Sequence, residues 1–140
     1  MDEEGLLHRY GLHPDGRALD EIRELLTAQA AGERREQGAG DTELMRLCCV
    51  QLFNVGALND VLLIWQAKTA SMDADCSIDI QLLCGAGLAE TKTFLAGHPS
   101  KEAKAALDRL LMCEAAEDFD GFSTAEYSAI YTNYYADDGD

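Results

Sequence analysis

The chain has 140 residues, and its 26 Asp and Glu against 11 Lys and Arg give a formal net charge of −15 at pH 7. A field of that sign repels nucleic-acid phosphates and anionic lipid surfaces. No apolar run approaches the roughly 20 residues needed to cross a bilayer, so neither nucleic acid nor membrane is an expected partner. Length and a hydrophobic content of 47% predict one domain with its own core.

The opening Met1-Asp2-Glu3-Glu4-Gly5 lacks the basic start and apolar stretch of a signal peptide. The five cysteines (Cys48, Cys49, Cys76, Cys84, Cys113) are odd in number and show no CxxC spacing, which suits a reducing cytoplasm and a fold without disulfides.

Residues 1–37 read as two helices. Leu6, Leu7 and Tyr10 mark a short first helix ended by Gly11, and His13-Pro14-Asp15-Gly16 makes a turn. The second helix, 18–37, carries Leu19, Ile22, Leu25, Leu26 and Gln29 at helical spacing. Beyond Ala31 its apolar face fades into Glu33-Arg34-Arg35-Glu36, so that end is expected to project into solvent, followed by a flexible linker at 38–41.

Residues 42–116 read as a core of helical hairpins. Asp41 or Thr42 caps a helix over 42–55 that is apolar almost all round and therefore central, and Gly56 stops it. A second helix over 58–70 places Leu58, Val61, Leu62 and Trp65 on one face, so Trp65 is expected to be buried. Residues 77–87 fit either a strand (Ile78, Ile80, Leu82 alternating) or a helix. No second strand offers a partner for its backbone groups, so helix is the reading adopted. A short helix follows at 88–96, and another runs from His98-Pro99-Ser100 to about Ala116, with Pro99 in its first turn.

Residues 117–136 form an acidic, aromatic turn and a last helix, opened by the capping box Ser123-Thr124-Ala125-Glu126. Tyr127, Ile130, Tyr131 and Tyr134 are read as its core face with Tyr135 pointing away, and 137–140 as a frayed tail.

A shift of 30 residues lays 51–60 over 81–90. Gln51 then matches Gln81, Leu52 matches Leu82, Leu58 matches Leu88, and a glycine turn falls in nearly the same place. On these residues the stretch 42–97 resembles ankyrin- and tetratricopeptide-type repeat proteins, although the Thr-Pro-Leu-His signature of ankyrin repeats is absent. The resemblance implies a binding module that does no chemistry. The fold class expected is all-α: a short stack of antiparallel helical hairpins, or an irregular helical bundle.

Motifs that could carry chemistry are incomplete. Gly85-Ala86-Gly87-Leu88-Ala89-Glu90 begins like a dinucleotide fingerprint, but Glu90 stands where the third glycine belongs. Asp118-Phe119-Asp120-Gly121 suggests a calcium loop, yet with Gly121 at the sixth position Ala116 and Tyr127 occupy the first and twelfth. His8, His13 and His98 form no ligand pair. No cofactor and no metal are expected.

Residues 114–140 hold eight acids, no Lys or Arg, and six of the ten aromatic residues. Tyrosine beside carboxylate recognises cations by hydrogen bonding and cation–π contact. The expectation is a non-enzymatic interaction module for a basic protein partner, an inhibitor or immunity-type protein being the sharper version. Its candidate contacts are Asp118, Asp120, Tyr131, Tyr135, Asp137 and Asp138. The alternative is a small enzyme or ligand-binding domain with a groove near Trp65, Cys76 and Cys84.

Overall fold

The computed structural model describes the backbone of residues 1–138 and the side chains of residues 1–136. Among the described residues there are eight α-helices and no strand: α1 (Glu3–Tyr10), α2 (Arg17–Arg35), α3 (Thr42–Val55), α4 (Val61–Lys68), α5 (Met72–Ser77), α6 (Leu88–Gly97), α7 (Lys101–Ala115) and α8 (Thr124–Asp138). Short 3-10 turns precede α4 at Leu58–Asp60 and follow α5 at Ile80–Cys84. No described helix is long and apolar enough to cross a membrane.

Local sequence sets most helix starts. The Asp41 carboxylate accepts the Leu44 amide at 3.1 Å, the Ser100 hydroxyl accepts Ala103 at 3.1 Å, and Ser123 accepts Glu126 at 3.1 Å. Each bond satisfies a backbone donor that the first helical turn leaves open. Pro99 thus precedes the Ser100 cap instead of entering the first turn of α7.

Helix α3 is the centre. Nine of its residues are buried, including Leu44, Met45, Leu47 and Leu52, and α1, α2, α5 and α8 pack around it. Its two buried or half-buried amides reach outward: Gln51 donates to the Gly11 carbonyl and Asn54 to the Leu12 carbonyl, each at 2.7 Å. Helix α7 packs against α4 and α6, and the buried apolar side chains form one cluster. Trp65 belongs to it, at 7% exposure.

The segment 77–87 is helical but tight, with α5 ending at Ser77 and a 3-10 turn following. Ile78, Ile80, Leu82, Leu83 and Cys84 are all buried, so neither a one-faced helix nor an alternating strand describes them. The turn crosses the end of α3 closely enough that a Cβ on Gly85 would stand 2.4 Å from the Phe53 carbonyl oxygen. Gly56, at φ 75°, faces the Gly85 carbonyl from the other side.

Three expectations are corrected. The end of α2 is solvated only in part: Arg34, Arg35 and Glu36 are exposed, but Glu33 is 1% exposed, and Arg34 donates to the Gln66 carbonyl on α4 at 3.0 Å. Residues 38–41 are tied down. The Gly38 and Gly40 amides donate to Glu33 Oε1 at 2.9 and 3.0 Å, and the Asp41 amide donates to Gln29 at 2.8 Å. The Glu33 carboxylate thus organises the loop that its own sequence context disguises as a solvated charge run.

The third correction concerns the rotation of α8. Tyr131 and Tyr135 are buried and Tyr127 half-buried, whereas Ile130 and Tyr134 are 59% and 44% exposed. Tyr135 therefore points into the protein. A phenol is buried at low cost only where its hydroxyl finds a partner, and Tyr127 and Tyr131 both donate to Asp79 Oδ2, at 2.6 and 3.0 Å. That acceptor selects the 127/131/135 row as the inner face. The expected tail at 137–140 lies largely outside the described residues.

Candidate functional site

The chain leaves α7 through a sharp turn. Glu117 adopts φ 71°, the one non-glycine residue with positive φ among those described, and the Asp118 amide donates back to the Cys113 carbonyl at 3.0 Å. Gln81 fixes the turn to the 3-10 segment through the Asp118 carbonyl, at 3.0 Å. Phe119 plugs the core, and Phe122 meets both Phe119 and Tyr127 with ring centroids 5.5 and 5.8 Å apart. Tyr127 in turn meets Phe53 of α3 edge-on at 5.5 Å.

Between this turn and the first two turns of α8 lies a cleft of about 210 Å³. Phe122, Tyr127 and Ile130 supply its apolar surface, and Asp118, Asp120 and Glu126 its charge. These three carboxylates and Glu117 are exposed. All 11 Lys and Arg lie between Arg9 and Arg109. Among the described residues Asp60 and Glu114 each pair with one and Asp75 with two, whereas none pairs with Glu117, Asp118, Asp120 or Glu126. The carboxylates do not close on each other: no group of three or more His, Cys, Asp or Glu among the described residues could hold a metal ion.

Of the residues expected to contact a partner, Asp118 and Asp120 line this cleft. Tyr131 and Tyr135 do not reach the surface, at 8% and 2% exposure, and are corrected to core residues that carry α8. Burial, supported by the Asp79 carboxylate, pushes the Tyr131 phenol up to about 12, and burial raises Tyr127 and Tyr135 as well. The side chains of Asp137 and Asp138 lie outside the described residues. Phe122, Glu126 and Ile130 were missed. The Glu126–Ile130 spacing of four would have placed them on one face, but only once the rotation of α8 is known.

Trp65, Cys76 and Cys84 do not converge. Cys76 is exposed and lines an open groove of about 640 Å³ with Thr69, Ser71, Met72, Asp75 and Arg109. Trp65 lies beneath Arg109, whose guanidinium carbon stands 5.5 Å from the indole centroid. Cys84 is fully buried, and burial pushes its thiol up to about 12, as it does that of Cys48. The polar groups of the groove bind one another: Arg109 donates twice to Asp75 at 3.1 Å, and Lys68 reaches the same carboxylate at 3.0 Å. Ser71 donates to Glu33 and Thr69 to the Trp65 carbonyl.

No protein-family model matches the chain, and neither the curated proteins nor the solved structures contain a match to it.

Proposed function

We propose that the protein is a non-enzymatic interaction module whose acidic C-terminal surface receives a basic protein partner, in the manner of an inhibitor or immunity-type protein. The observation that carries this reading is the cleft with apolar walls and charged edge formed by Asp118, Asp120, Phe122, Glu126 and Ile130, whose carboxylates have no cation of their own among the described residues. In a protein of net charge −15, unneutralised carboxylates beside exposed apolar surface steer a basic partner and then give it something to bury. The helices packed around α3 would serve as the rigid support. A cytoplasmic setting agrees with five free thiols.

The competing reading, a small enzyme or ligand-binding domain, rests on the groove beside Cys76, whose volume falls in the range of small-molecule sites. Its other polar groups already satisfy one another, so little there is free to hold a substrate. The deciding experiment compares cross-linked partners of the wild-type protein and of a variant carrying Asp118→Asn, Asp120→Asn and Glu126→Gln, at low and high salt. A basic protein cross-linked through 114–136 at low salt, and lost in the variant, supports the module. A partner or ligand cross-linked at Cys76 would replace it.

A further inference from the structure

We infer that the cleft between the 116–122 turn and α8 is built for an arginine side chain of the partner, rather than for a lysine or for diffuse positive charge. This rests on the reading of the C-terminal surface as the partner-binding face and adds the chemistry of the group it takes.

Size comes first. At about 210 Å³ the cleft lies below the roughly 300–1,000 Å³ of sites that take cofactors or drug-sized ligands. It suits one side chain. Its walls then restrict which one. A lysine ammonium is a compact, strongly hydrated point charge, satisfied by carboxylates alone. The guanidinium is planar and weakly hydrated, and uses an aromatic face together with a carboxylate edge. The cleft is lined by both kinds of residue, with Phe122, Tyr127 and Ile130 set beside Asp118, Asp120 and Glu126.

The protein itself holds an arginine in this way. Arg109 donates through Nη1 and Nη2 to Asp75, both at 3.1 Å, with its guanidinium over Trp65. Arg46 lies over Tyr134 at 5.1 Å and also donates to its hydroxyl at 2.9 Å. The cation–π contacts among the described residues are all made by arginines, Arg9 over Tyr10 being the third. The cleft repeats the pairing of carboxylate and ring seen at Arg109, and since no described Lys or Arg pairs with Asp118, Asp120 or Glu126, the guanidinium would come from another molecule.

The test uses two probes of equal length and charge, a peptide of alternating arginine and glycine and its lysine counterpart, titrated into the full chain by NMR at low salt. The arginine peptide is expected to shift the amides of residues 118–127 and to bind about threefold to tenfold more tightly than the lysine peptide. Phe122→Leu keeps apolar bulk but loses the ring, and is expected to bring the two affinities together. Asp118→Asn with Asp120→Asn is expected to weaken both. The mapping on the wild-type chain does not depend on either variant folding. Equal affinities at residues 118–127 would overturn the arginine assignment and leave the basic-partner reading standing. Shifts confined to other residues would overturn the cleft as the site, and the absence of any shift with either peptide would overturn both readings.

Discussion

Tyr131 donates its hydroxyl to Asp79 at 3.0 Å across 52 residues of sequence, and with the same bond from Tyr127 it turns α8 so that a row of phenols faces the core. Asp79→Ala removes the acceptor from two half-buried or buried hydroxyls. Bonds to a charged partner contribute about 1.5–3 kcal/mol each, with incomplete additivity, so the variant should lose about 2–3 kcal/mol of stability in urea. Asp79→Asn, which keeps an acceptor oxygen, should lose less.

The same tyrosines predict an alkaline limit. Burial pushes the Tyr131 phenol up to about 12 in the folded protein, against about 10 for an unfolded tyrosine. The folded state therefore favours the protonated phenol, so this contribution is fully present below about pH 10 and is lost as pH rises through about 12. Tyr127 and Tyr135 shift in the same direction. Phenolate absorbance followed together with circular dichroism should show these tyrosines ionising as helix is lost. Ionisation near pH 10 with the fold intact would contradict their placement.

Glu33 predicts an acid counterpart. Its carboxyl lies below the usual range because the Ser71 hydroxyl and the Gly40 and Gly38 amides donate to it, outweighing burial. Its contribution is present above about pH 4.3, the unfolded value, and is lost as pH falls through the folded one. Glu33→Ala should cost about 2–3 kcal/mol at neutral pH by leaving three donors without an acceptor, and should lose less further stability on acidification than wild type. The 38–41 amides should exchange hydrogen faster in the variant.

Trp65 and Glu117 give two substitutions of opposite sign. Trp65→Ala opens a cavity under Arg109 and should cost about 3–5 kcal/mol, and the native tryptophan emission should be that of a shielded indole. Glu117→Gly relieves a left-handed conformation at the position after α7 where glycine is usual, and should stabilise by about 0.5–1 kcal/mol. Both are read from denaturant midpoints.

Where a helix is fixed by its own ends, it was legible. The bounds of α3 follow from Asp41, which caps it, and Gly56, which stops it in a left-handed turn, and its central position follows from its apolar girth. What escaped depends on residues distant in sequence. The charge run after Ala31 hides Glu33 because its hydroxyl donor, Ser71, is 38 residues away. The rotation of α8 is set by Asp79, so two nearly equivalent stripes of tyrosine and isoleucine could not be told apart in advance. The acidic half of the candidate site was legible, since the absence of Lys and Arg after residue 109 is a property of the sequence. Its apolar half was not, because Ile130 faces the cleft only as a consequence of that rotation, and Phe122 reaches it from the turn before α8, whose path local sequence does not set.

The most direct test of the acidic surface as the partner-binding face is the ionic-strength dependence of the association rate with a basic partner recovered by cross-linking. Wild type is measured against the variant carrying Asp118→Asn, Asp120→Asn and Glu126→Gln. The Debye length falls from about 10 Å at 0.1 M salt to about 3 Å at 1 M, so the wild-type rate should drop steeply over that range. The variant should start lower and show a shallower slope, with its dissociation rate changed less. Identical rates and slopes for the two proteins would contradict the account and place the interface away from residues 114–136.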